Sequence, residues 1–101
     1  MAWPFSNVGP PNFDTGPGVA IPTGAPVAIM TGAGWLIGAH FINDASVERV
    51  ITVTDAAGAD VCKIRLPDGL EKPEEWPLRP VTGVKWSADG AGCTGHMWGY
   101  Q

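Results

Sequence analysis

The side chains in this chain that could do chemistry are few and scattered. His40 and His96 each sit inside an apolar, strand-like stretch. A facing pair of imidazoles holds a metal when a third ligand joins it, but no Cys or carboxylate lies at a ligand-like spacing from either, so both read as hydrogen-bonded strand histidines. Asp55 and Asp60 flank a Gly-containing turn. Calcium needs about six to eight oxygens, more than two carboxylates supply, and capping turn amides is the ordinary work of Asp at such places, Asp44 included. Glu71, Glu74 and Glu75 are local to one Pro-containing stretch and not opposed across a cleft, as glycoside hydrolysis requires. Ser6, Ser46 and Ser87 lack a nucleophile-elbow context, and Cys62 falls on the inward phase of an alternating strand, which removes the usual nucleophiles. The expectation is no catalytic residue, no bound metal and no cofactor.

The elements that would position any site divide the chain in two. Residues 1–26 carry six of the ten prolines and one charged side chain, Asp14, yet also Trp3, Phe5, Phe13, Val19 and Ile21. Pro and Gly deny this stretch a helix and interrupt strand ladders, while its apolar residues need cover. It reads as an extended arm laid across another surface, its own domain's or a neighbour's, with Trp3, Phe5, Phe13, Val19 and Ile21 as assembly residues.

Residues 27–101 read as one β domain. PVAIMT (26–31) is followed by a Gly-Ala-Gly break at 32–34 and then WLIGAHFIN (35–43), apolar on both alternating faces as a central strand is. VERVITVTD (47–55) and VCKIRLP (61–67) form a hairpin, the second strand alternating Cys62, Ile64 and Leu66 with Lys63 and Arg65. PDGLEKPEEWP (67–77) holds much of the acidic charge and reads as a loop or crossing connection anchored by Trp76. A short strand around Leu78, then TGVKWSA (82–88) and CTGHMWGY (93–100) around an ADGAG turn (88–92), complete the strands. The spacing predicts an all-β fold, a compact antiparallel β-sandwich or jelly-roll-like barrel of about seven short strands with an extended N-terminal arm.

Composition narrows the function classes. A hydrophobic content of 45% with five tryptophans excludes a disordered chain, and 16% charged residues is low for a free-standing domain, which fits surface covered in an assembly. The net charge is −4 and the six Lys and Arg residues are scattered singly, against binding to a phosphate backbone. No run approaches a membrane span and the N-terminus lacks a signal-peptide pattern, so synthesis and folding in the cytoplasm are expected. Cys62 and Cys93 lack metal-site spacing and read as reduced thiols. Trp35, Trp86 and Trp98 fall in strands and are expected in the core, whereas Trp3 and Trp76 are expected at interfaces. If instead Trp76, Trp86 or Trp98 formed a flat exposed strip with Tyr100, the chain would be a carbohydrate-binding module.

The stretch GAGWLIGAHFINDASVERVITVTDAAGADVCKIRLP, followed by TGVKWSADGAGCTGHMWGY, resembles in layout the small β-sandwich virion proteins of tailed bacteriophages: an apolar strand led by Gly, a TVT-type strand ending in Asp, a short Gly turn, a strand closing on Pro, and a last strand of small and aromatic residues. The resemblance implies a capsid decoration protein or a head-fibre or fibre-base component. Its partners would be itself, as a homo-oligomer, and other virion proteins such as the major capsid protein, with no nucleic acid and no membrane, in the virion.

Overall fold

Alternation is the rule from which the architecture follows. In CTGHMWGY every second residue, Cys93, Gly95, Met97 and Gly99, is buried and the residues between are half-buried, the signature of a strand with one face on a core. The computed structural model describes residues 12–101, and in chain order they form β1 (Phe13–Asp14), β2 (Val19–Ala20), β3 (Val27–Asn43), β4 (Arg49–Thr54), β5 (Asp60–Leu66), β6 (Glu71–Ala88) and β7 (Cys93–Tyr100). The fold is all-β, a single antiparallel sheet in the order β1-β7-β3-β6-β4-β5, with β2 also on β7.

Two strands are far longer than expected. β3 runs for 17 residues through the Gly32–Gly34 stretch read as a break, and β6 runs for 18 through Glu71–Pro77, read as a loop. Gly32 and Gly83 take positive φ (80° and 77°) where the ladder shifts between the pairs Met30↔Val84 and Ala33↔Thr82, so glycine supplies a bulge and not a chain reversal. The acidic stretch is a strand because it forms a sheet edge. Residues 71–75 pair with 38–42 of β3 on one side only, and an edge tolerates the charge and the prolines that a central strand would not. A second irregularity sets Ile37 opposite Trp76, Pro77 and Leu78, with Leu78 at φ 58°.

The long strands belong to both halves of the molecule. β3 lies between β6 and β7 over residues 35–42, and β6 lies between β3 and β4 at Lys85 and Trp86. The sheet therefore folds over on itself along the β3–β6 ribbon and buries Leu36, Phe41 and Met97 of one half against Ile51, Val53, Val84 and Trp86 of the other. Trp86, 1% exposed, meets Phe41 edge to face at 6.4 Å between ring centres. A β-carbon on Gly95 would come within 2.8 Å of the Trp86 ring, so the absence of a side chain there is what admits the indole.

Asn43, wholly buried, ties the loops at one end of the ribbon. Its Nδ2 donates to the carbonyls of Val47, Leu66 and Pro67 at 3.0–3.1 Å, and its Oδ1 accepts the Ala45 N–H. Cys62 and Cys93 are both free thiols. Burial, with the Glu74 carboxylate nearby, pushes Cys62 up to about 11, so it is a neutral thiol at physiological pH.

Candidate functional site

The predicted assembly residues fall into three groups. Trp3 and Phe5 lie outside the described residues. Phe13 and Ile21 are buried in the core of their own domain, 9% and 4% exposed, and Val19 packs against that core. They reach it because β1 and β2 pair with β7, Phe13 opposite Gly99 and Val19 opposite Gly95, and a β-carbon on Gly95 would come within 3.1 Å of Ile21 Cδ1, so the glycine admits that side chain. The described part of the arm is thus laid across its own domain. Trp76 is half-buried against the core from the β6 edge.

The two histidines are direct cross-strand partners, His40 on β3 opposite His96 on β7. Each leans on a carboxylate: His96 Nε2 is 2.6 Å from Asp14 Oδ1, and His40 Nε2 is 3.5 Å from Glu71 Oε1. Asp14 also accepts the Gly16 N–H at 2.7 Å. These two bonds, the Gly16 amide first, hold its carboxyl below the ordinary 3.8. His96 is tilted against Trp98 at 4.7 Å, and Trp98 in turn covers Gly38. The row Asp14, His96, Trp98 fastens the arm to β7. Among the described residues no group of three or more His, Cys, Asp or Glu side chains is placed to hold a metal ion.

Asp55 caps its turn. Its Oδ1 accepts the N–H groups of Ala57 and Ala59, both at 2.9 Å. Asp89 accepts the Val50 N–H at 3.0 Å, and Arg49, whose guanidinium covers Gly90, donates to the Ala91 carbonyl at 3.1 Å, so the β6–β7 turn is locked to β4. Gly90-Ala91-Gly92-Cys93-Thr94-Gly95 has the G-x-G-x-x-G spacing of dinucleotide sites, but it leads from this turn into β7, and among the described residues no helix N-terminus stands over it to receive a phosphate.

Sequence reasoning also missed a concavity beside Trp35. A cleft of about 340 Å³ opens between the β4–β5 turn (Asp55, Ala59) with the start of β5 (Asp60, Val61) and the middle of the β3–β6 ribbon (Ala33–Trp35 and Arg79–Thr82). Trp35, expected in the core, is 39% exposed and lines it. The alternating pattern of 35–43 put Trp35 among buried neighbours. The ladder shift at Ile37 changes the phase of the strand before it, an event with no residue signature beyond the neighbouring glycines. Both walls are fixed to each other, because Ala56 N–H donates to Thr82 O at 3.0 Å and Gly83 lies close under the Ala56 methyl.

An all-β protein built on one antiparallel sheet is the class this geometry defines. No protein-family model, curated protein or solved structure matches the chain.

Proposed function

We propose that the chain is a non-enzymatic structural protein of a bacteriophage virion, a capsid decoration or head-fibre or spike component that assembles through sheet edges and its N-terminal arm. The observation that carries this reading is the unequal treatment of the sheet edges. The β6 edge bears Glu71, Lys72, Pro73, Glu74, Glu75 and Pro77, and the outer strand β5 bears Lys63 and Arg65, devices that discourage edge-to-edge pairing. Residues 27–34 of β3, by contrast, carry no charge and no proline. Among the described residues they pair with β6 on one side and, on the other, Thr31 O accepts from the Gln101 side chain. Val27 there is 50% exposed. An uncharged open edge is a template for strand addition by another chain.

Ala28→Lys tests the assembly half, because Ala28 is exposed on this edge and tolerates a charge without loss of core. Light scattering is expected to give an oligomer for the full chain and a smaller species for the variant. The virion half is tested by mass spectrometry of purified phage particles from a strain carrying the sequence, where the protein is expected at many copies per particle. A monomer in both preparations, together with absence from particles, refutes the reading. The rival strip of exposed tryptophans is not favoured: Trp86 is in the core, Trp76 packs on it, and Trp98 lies between His96 and Gly38.

A further inference from the structure

We propose that the cleft beside Trp35 is a binding subsite for a neutral pyranose ring. Four features on its walls suit that chemistry. Trp35 supplies a partly exposed indole, against which the C–H face of a sugar stacks. Arg79 reaches across the mouth, its Nη2 3.5 Å from the Asp60 carbonyl, and among the described residues it forms no ion pair, so most of its donors are open to hydroxyl oxygens. Asp60 and Thr82 on opposite walls add an acidic and a hydroxylic side chain, the complement of a ring that both donates and accepts. Val61, Pro80 and Val81 make up the apolar remainder.

Other ligand classes fit less well. A phosphate or sulfate would meet one guanidinium flanked by Asp55 and Asp60, a balance that disfavours anions. A purely apolar ligand would strip water from Arg79 and the two aspartates without replacing its hydrogen bonds. A cation would find too few free oxygens, since Asp55 Oδ1 is committed to Ala57 and Ala59. The cleft lies at the small end of ligand sites, suited to one hexose ring with any further ring at the open mouth. Its walls are held by the Asp55 cap and by the Ala56–Thr82 bond, so binding has little ordering to do. The cleft shares Ala33 and Gly34 with the residue 27–34 edge, but sugar shifts on one side and oligomer mass and presence in particles on the other are different readouts, so the sugar site and the virion reading fail distinguishably.

The experiment is a titration of the isotope-labelled full chain with methyl glucoside, methyl mannoside, methyl galactoside, N-acetylglucosamine, maltose and cellobiose, followed by amide and indole N–H resonances. At least one sugar is expected to give saturable shifts confined to Trp35 Nε1–H and the amides of 33–35, 59–61 and 79–82, with a dissociation constant in the millimolar range. Trp35→Ala and Arg79→Ala should each weaken binding about tenfold, whereas Thr52→Ala, on a different surface, should not. Trp35 and Arg79 are exposed, so both variants should keep the parent spectrum elsewhere, which separates loss of the site from loss of the fold. The proposal is overturned if no sugar gives saturable shifts there up to tens of millimolar, or if shifts survive both variants. It is equally overturned if inorganic phosphate or a proline-rich peptide perturbs the cleft and the sugars do not.

Discussion

Asp14 is the residue on which the arm's attachment turns. It is an exposed carboxylate, yet it accepts from both Gly16 and His96 and so has its pKa held down. A carboxylate whose folded pKa lies below its unfolded value stabilises the fold at pH above the unfolded value, and that contribution is lost as pH falls through the folded one. The attachment of the arm to β7 should therefore be complete at neutral pH and weaken on acidification below about pH 4. A carbon-detected titration of the Asp14 carboxyl should show a midpoint below 3.8, and His96→Ala should move that midpoint upward. A midpoint at or above 3.8 in the parent chain would show that these bonds do not form in solution. The roles of single residues were unevenly legible. Asp55 as a turn cap follows from its place before a Gly turn. Asn43 as the tie of three loops does not, because each of its acceptors lies at least four residues away in sequence and is brought in only by the fold.

At the scale of elements, the sheet extends back across the composition change near Pro26. β1 and β2 lie inside residues 1–26 and are strands of the sheet, with Phe13 and Ile21 in its core. A chain starting at Gly24 removes both side chains, whose burial is worth roughly 4 kcal/mol together, a large share of a small domain's stability. That chain is expected to lose near-ultraviolet dichroism and melt at much lower temperature than the full protein. Equal melting of the two would mean that β1 and β2 are not strands of the folded core. Strands with regular alternation were readable in the sequence: β7 spans the residues expected of it, and β4 and β5 differ from expectation by one or two residues at their ends. β6 was not readable over 71–77, because charge and proline mark an exposed edge strand and a loop alike, and only the partner strand distinguishes them.

The whole molecule is dominated by pairings between residues distant in sequence. Val27 meets Trp86, Phe13 meets Gly99, and the hairpin of β4 and β5 is inserted between the two long strands that pair with each other. Loops must close before such pairs can form, so folding is expected on the millisecond-to-second scale of sandwich and barrel domains. Trp86 and Phe41, buried where the two halves meet, should make tryptophan fluorescence a direct probe, its emission shifting to shorter wavelength in the slow phase. Completion within microseconds in stopped-flow or temperature-jump measurements would contradict this topology.

Asn12 and Gln101 exchange two hydrogen bonds, Nδ2 to the Gln101 carbonyl at 3.0 Å and the Gln101 N–H to Oδ1 at 2.8 Å. The chain enters and leaves the sheet side by side, through the antiparallel pair β1 and β7. Tension applied between these two points loads the ladder from one end, so its bonds break in succession, pair after pair, as a zipper opens. The same ladder pulled lengthwise from opposite ends would have to break its bonds together, at far higher force. A molecule held by residue 12 and hauled by residue 101 therefore yields first at β1 while the β3–β6 ribbon remains intact, and the arm is the segment that geometry sets to give way.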